Sequence, residues 1–203
     1  MPALTRLVSE IRACRLCVET PRGRPLAQAP RPVLRPSSSA RLAIAGQAPG
    51  ARVHASGVPF TDPSGVRLRA WMGVTDDEFY DDRRIAILPM GFCFPGHDAK
   101  GGDLPPRKEC AAAWRKPLLA AMPQLELILL VGSYAIDWHL LPRRRQGLTA
   151  TVADFEAVLS SSACPRHFPL PHPSWRNNAW IRTNSWFETG VLPRLRAEVR
   201  RLL

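Results

Sequence analysis

The sequence predicts an α/β fold: three layers, with a four-stranded parallel sheet flanked by helices. Two observations carry this expectation. Four short apolar runs, each closed by turn residues, lack the polar alternation of a half-solvated strand, as strands buried on both faces do. Helical stretches separate these runs, and alternating strands and helices place helices on both faces of a sheet. At 203 residues and 45% hydrophobic, the chain can bury a sizeable core. No linker divides it near the middle, so residues 1–203 are expected to form one domain.

Taken in order, residues 2–13 read as a short amphipathic helix, with Leu4, Leu7, Val8 and Ile11 at helical spacing. It runs directly into Cys14-Arg15-Leu16-Cys17. Residues 21–40 hold Pro21, Pro25, Pro30, Pro32 and Pro36. These forbid a helix or an interior strand and predict an extended surface loop. Strands are expected at Leu42–Ala45 before Gly46, at 85–88 before Pro89, at Leu127–Val131 before Gly132, and at 168–170 before Pro171. Helices are expected over 64–74, 105–122, 133–141 and 148–159. A last helix over 186–202 would carry Phe187, Val191, Leu192, Leu195 and Val199 on one side. In such sheets ligands bind outside the carboxyl ends of the strands. Those ends are 46–50, 89–95, 132–134 and 171–177.

Lys and Arg number 28 against 17 Asp and Glu, a formal net charge of +11. Only Lys100, Lys108 and Lys116 are lysines. This excludes an acidic, solvating chain. It favours a polyanionic partner, because the guanidinium fork matches phosphate oxygens and its binding releases counterions. The richest apolar stretch, 125–131, is interrupted by Glu126 and too short to span a membrane. The first residues carry Arg6, Glu10 and Arg12 and no apolar core of a signal peptide. A cytoplasmic monomer with no membrane partner is expected. Five cysteines in a reducing compartment argue for metal binding or buried thiols over a disulfide framework.

Cys14 and Cys17 form a C-x-x-C, and Cys93 and Cys110 a second, wider pair. Two thiolates at a helix end can grip one metal or one cluster edge, and two more complete a four-sulfur cage. Four inert core thiols are the alternative. Spacing alone does not separate zinc from iron–sulfur, and Cys164 is left over.

The segment Gly46-Gln47-Ala48-Pro49-Gly50 follows the first strand directly, and its glycines let a ligand approach backbone N–H groups. Next come Phe60-Thr61-Asp62-Pro63-Ser64-Gly65, opening a helix, and finally Pro171-His172-Pro173-Ser174-Trp175-Arg176-Asn177 after the last strand. Together these motifs resemble the uracil-DNA glycosylase superfamily: the first its G-[QE]-x-P-G/Y loop, the last its H-P-S loop. Cysteine placement is similar to that of the iron–sulfur branch, families four and five, over nearly the whole chain.

The resemblance implies a DNA repair enzyme that hydrolyses the N-glycosidic bond of uracil in DNA and leaves an abasic site, the first step of base excision repair. It implies a structural [4Fe–4S] cluster on Cys14, Cys17, Cys93 and Cys110. Such an enzyme flips the base from the stack. Bond cleavage then puts negative charge on uracil and positive charge on the sugar. His172 matches the family histidine beside uracil O2, an oxyanion-type donor. Gly46, Gln47 and Ala48 would contact the base, and Phe60 matches the aromatic that stacks on it. Ser174, Trp175, Arg176 and Asn177 would face DNA, with Arg176 at the position of the wedge residue that fills the gap. An exposed loop arginine is the alternative.

Three departures stand out. The carboxylates that the branches place at positions 47 and 48 are absent, since Gln47 and Ala48 stand there. The family-five stretch F-T-G-D-x-S-G is one residue longer than Phe60–Gly65, which assigns Asp62 as the water-positioning carboxylate. Asp62 is equally a helix N-cap in sequence, and the two roles are compatible. Pro89 occupies the place of the uracil-reading asparagine and has no amide. Base recognition then falls to backbone groups of 46–50 or another side chain, against a stiff wall at 88–90. The alternative function is a uracil-DNA binder with little turnover, or covalent capture through His54, whose surroundings do not match the capturing branch. His97 and His167 read as surface or packing residues. Arg143-Arg144-Arg145 reads as a solvated or phosphate-facing run. Pro105-Pro106-Arg107-Lys108 reads either as a DNA-lining segment or as a helix start.

Overall fold

The four apolar runs become β1 (Leu42–Ala45), β2 (Ile85–Ile87), β3 (Leu127–Val131) and β4 (Arg166–Leu170). They form one parallel sheet in the order β2-β1-β3-β4. The computed structural model describes residues 3–203, apart from the side chains of Pro142 and Arg144. In the register Leu42 lies opposite both Ile85 and Leu127, and Leu127 opposite Arg166. Every residue of β1, β2 and β3 is buried, as expected of strands covered on both faces.

The helices are α1 (Ala3–Arg12), α2 (Leu16–Glu19), α3 (Ala51–Ser56), α4 (Pro63–Met72), α5 (Asp76–Tyr80), α6 (Lys108–Ala120), α7 (Ser133–His139), α8 (Gly147–Ala153), α9 (Phe155–Leu159), α10 (Asn178–Thr183) and α11 (Leu192–Leu202). The expected helix over 2–13 is α1; residue 2 lies outside the described residues. The helix expected over 105–122 starts only at Lys108, because Pro105 and Pro106 precede it. The helix expected over 148–159 is two, α8 and α9, parted at Asp154, whose carboxylate pairs with Arg143. The last helix opens with a π-helical turn, Phe187–Val191. Pro193 has no N–H to continue a regular ladder through that point. Helix α5 starts with a capping box: Thr75 Oγ1 accepts from Glu78 N at 3.2 Å, and Glu78 Oε2 from Thr75 N at 2.8 Å.

The proline-rich segment departs from a purely surface loop. Leu26, Val33 and Leu34 are buried. Arg35 N donates to Ile87 O at 2.9 Å and Ile87 N to Arg35 O at 2.8 Å. Backbone without regular structure thus covers the open edge of β2, leaving fewer unpaired groups there. No helix among the described residues is long and apolar enough to cross a membrane.

Candidate active site

The ends of β1, β2 and β4 open into one cleft of about 620 Å³, inside the roughly 300–1,000 Å³ range of small-ligand pockets. Gly46, Gln47, Ala48, Phe60, Asp62, Pro89, His172, Ser174, Trp175, Arg176 and Asn177 all line it. The end of β3 does not line the cleft; Gly132 instead backs His172. A Cβ on Gly132, at φ +88°, would lie 3.4 Å from His172 Cβ.

Phe60 is held from several sides. Its φ is 59°, a left-handed conformation that a bulky residue adopts at a cost of about 1–3 kcal/mol. Its ring lies over Gly46, where a Cβ would come within 3.2 Å of Cζ, and meets Phe79 edge-on at 5.9 Å. Its carbonyl accepts from Arg69 Nη1 at 3.3 Å. A Cβ on Gly65 would stand 1.8 Å from that same oxygen, so only glycine lets α4 begin so close behind the turn. Tyr80 Oη anchors the preceding Pro59 carbonyl at 2.9 Å. A ring pinned this way presents a fixed apolar face.

Asp62 is the N-cap of α4: Oδ1 accepts from Gly65 N at 3.2 Å, with Pro63 following. Asp62, the cap, also lines the cleft, so capping and a place at the cleft are compatible in one residue. His172 sits across from it on the loop after β4. Ser174 N donates to His172 Nδ1 at 3.3 Å, and Asn177 Nδ2 to His172 O at 2.7 Å. Burial holds the imidazole below its ordinary pKa, against the opposing pull of Asp62 and then Asp103. It is neutral near pH 7. With Nδ1 accepting, the proton resides on Nε2, which makes that nitrogen a donor. Arg67 of α4 braces the loop, giving Nη1–H to Ser174 O at 3.1 Å and to Asn178 Oδ1 at 2.8 Å.

At the mouth, Trp175 is 72% exposed and the Arg176 guanidinium lies 5.5 Å from its ring centroid. Pro89 forms a wall without an N–H, and its neighbours occupy the motif carbonyls: Met90 N bonds Gly46 O at 2.9 Å and Gly91 N bonds Gln47 O at 3.0 Å. His54 is absent from the cleft lining and tilts against Phe94, centroids 5.9 Å apart. Covalent capture through His54 therefore has no geometric support here. His97 pairs with Asp103 (Nδ1–Oδ1 3.2 Å), a carboxylate that lines the cleft and that motif reading passes over. Its available signal is the Gly101-Gly102 turn before it. Arg143 pairs with Asp154; the Arg144 side chain lies outside the described residues.

The four cysteines also converge. Cys14, Cys17, Cys93 and Cys110 line one small chamber with Ile11, Phe92 and Trp114. Trp114 Nε1 donates to Cys14 Sγ at 3.3 Å, and Phe92 N to Cys110 Sγ at 3.4 Å. Burial pushes the Cys93 thiol up to about 12 and raises those of Cys17 and Cys110. Thiolates there need a cationic partner. Among the described residues, no three His, Cys, Asp or Glu gather closely enough to hold a metal ion. Four sulfurs line this apolar chamber and two of them accept N–H donors, a donor set of the type that can hold a metal or a cluster. Cys164 is exposed and stands apart.

A further buried feature links chamber and cleft. Arg115, 1% exposed on the same helix as Cys110, gives Nη1–H to Leu88 O at 2.6 Å and Nε–H to His139 Nε2 at 3.1 Å. It ties the peptide before Pro89 to the helix that carries a chamber thiol.

The family model for the uracil DNA glycosylase superfamily matches residues 33–196. That span contains all of the cleft residues above, together with Cys93 and Cys110, and begins after Cys14 and Cys17. With the parallel sheet, the motif loops at its strand ends and the matched span in agreement, the chain belongs to the uracil-DNA glycosylase superfamily and has a DNA glycosylase type of function.

Proposed function

We propose that this protein is a monofunctional uracil-DNA glycosylase, releasing uracil from DNA by attack of water and leaving an abasic site. The observation that carries the reading is the pairing of a pinned aromatic, Phe60, with a neutral, Nε2-protonated His172 in one cleft. A base turned out of the helix stacks on Phe60. His172 Nε2–H then meets the charge that grows on uracil O2 as the bond to the sugar breaks. Such a donor contributes about 10²–10³ in rate, because it is in place before the charge appears. Asp62 steadies the sugar cation and orients water. Arg176 and Trp175 at the mouth fill the vacated stack, a few kcal/mol of unstacking being offset by the new contacts.

We further propose that Cys14, Cys17, Cys93 and Cys110 hold a structural [4Fe–4S] cluster. When bound, the cluster supplies cross-linking of α1–α2 to α6 and the 89–95 segment. Brown protein with four irons per chain supports this assignment, and colourless protein with stoichiometric zinc overturns it.

The test of function is a duplex carrying one uracil. Free uracil and an alkali-labile strand are expected. An intact strand together with a stable shifted complex identifies instead a uracil-DNA binder with little turnover, the reading favoured by Gln47 and Ala48 in place of carboxylates.

A further inference from the structure

We propose that Asp103 is a second catalytic carboxylate, which shares with Asp62 the orientation of the attacking water and itself accepts the water proton. This rests on the glycosylase reading above and deepens it. The first motif carries no acid at Gln47 or Ala48. The fold brings one to the same loop from elsewhere in the chain. Asp103 Oδ2 faces Gly50, the last residue of that motif, so closely that a Cβ there would lie 3.2 Å away. Both residues line the cleft.

The carboxylate is carried on a small, well-tied hairpin. His97 and Asp103 form an antiparallel bridge, and Leu104 N bonds Gly96 O at 2.9 Å. At its tip, Asp98 Oδ1 accepts from Lys100 N and Gly102 N, each at 2.8 Å. Asp98 is thus occupied with holding the turn. Asp103 uses Oδ1 for His97 Nδ1 at 3.2 Å and turns Oδ2 to the first motif. A carboxylate gripped on one oxygen is oriented on the other.

The two cleft acids are placed for different work. Asp62 gives Oδ1 to the α4 cap and acts on His172 more strongly than Asp103 does. Asp62 thus has one oxygen committed to its helix terminus, while Asp103 keeps Oδ2 turned toward the first motif. In a displacement at the sugar carbon, water approaches the face opposite the leaving group. The water oxygen–C1′ bond forms and the C1′–N1 bond breaks. The electron pair departs with uracil, held at O2 by His172 Nε2–H. The water proton passes to Asp103, and the uracil anion later takes a proton from solvent. Water is the only co-reactant.

The test compares wild type, Asp103→Asn, Asp62→Asn and His97→Ala. Each is assayed for single-turnover release of uracil and for affinity toward a duplex carrying non-hydrolysable 2′-fluoro-deoxyuridine. Asp103→Asn is expected to lower the rate by about 100-fold or more, the share of a general base, while affinity for the fluoro duplex holds. His97→Ala keeps the carboxylate and is expected to lose much less. Asp103→Asn at full rate, or equal losses of rate and affinity, overturns the assignment and leaves the glycosylase reading standing. A loss in His97→Ala as large as in Asp103→Asn also overturns it, since the hairpin and not the charge would then matter. A wild type that releases no uracil overturns the glycosylase reading and this assignment with it.

Discussion

The cleft and the cysteine chamber sit close together in one chain and are built on opposite principles. The chamber is enclosed by Ile11, Phe92 and Trp114, and the thiols of Cys17, Cys93 and Cys110 are pushed toward their neutral forms by burial. The cleft opens to solvent and mixes an imidazole, two carboxylates and arginines with one pinned phenyl ring. Burial acts in both, but to different ends. In the chamber it leaves four sulfurs that gain most from binding a cation. In the cleft it keeps His172 neutral, so that a donor faces the base without a full charge to desolvate. The two regions share structure: Pro89 lines one, Cys93 the other, and Arg115 ties the Leu88 carbonyl to the helix of Cys110.

The largest expected effect separates the two regions at once. His172→Ala should lower single-turnover uracil release by about 10²–10³ while leaving iron content, colour and melting temperature unchanged. A full rate in this variant would remove the imidazole from the reaction. Cys17→Ser should do the reverse first: visible absorbance and iron are lost and the melting temperature falls. Retained iron in Cys17→Ser would break the four-thiol assignment.

Asp62→Asn should reduce rate and leave most of the cap, since asparagine also caps. Asp62→Ala should add a stability loss of about 1 kcal/mol from the helix terminus, read as a lower urea midpoint. Equal midpoints for the two variants would argue that Oδ1 does not hold Gly65.

Acid tests a third buried group that lies in neither cavity. His139 and His167, 5.0 Å apart, are held down to about 2 and about 4 by burial and by Arg115 beside them. Unfolding frees both imidazoles, which then take up protons below about pH 6.5. The unfolded chain binds more protons there, so stability falls as pH drops from about 6.5 toward 4. Each histidine contributes a slope of about 1.4 kcal/mol per pH unit in that window. His167→Gln should flatten the urea midpoint against pH, and an unchanged slope would place these imidazoles in water. A last effect is expected at the mouth. Trp175→Ala and Arg176→Ala should slow release from duplex more than from single strands, by about 1–3 kcal/mol for the loss of a stacking ring. Equal losses on both substrates would rule out gap filling.

Much of the architecture is legible in residues near one another in the chain. Val, Leu and Ile runs without polar alternation read as covered strands, and β1 and β3 fall where those runs lie. The split of 148–159 at Asp154 is not legible in the local pattern, which does not display the pairing of Asp154 with Arg143, whereas the π turn before Pro193 has a local cause, the missing N–H. The cleft was legible through three motifs, whose loops each follow a strand end or open a helix. His54 shows the limit of proximity in sequence, since α3 turns its ring toward Phe94 and out of the cleft lining.

By itself, then, the sequence determined the strands, the loop chemistry at their ends and the four thiols, because hydrophobic period, glycine and proline geometry and cysteine reactivity are properties of short segments. Tertiary structure decided that the thiols share a chamber, that Gly65 must be glycine to clear the Phe60 carbonyl, and that Asp103 meets Gly50 across more than fifty residues of chain. The reason is physical: charge and packing act over a few ångströms of space, and the distance between two residues along a chain says nothing of that separation until the sheet has brought the strand ends together.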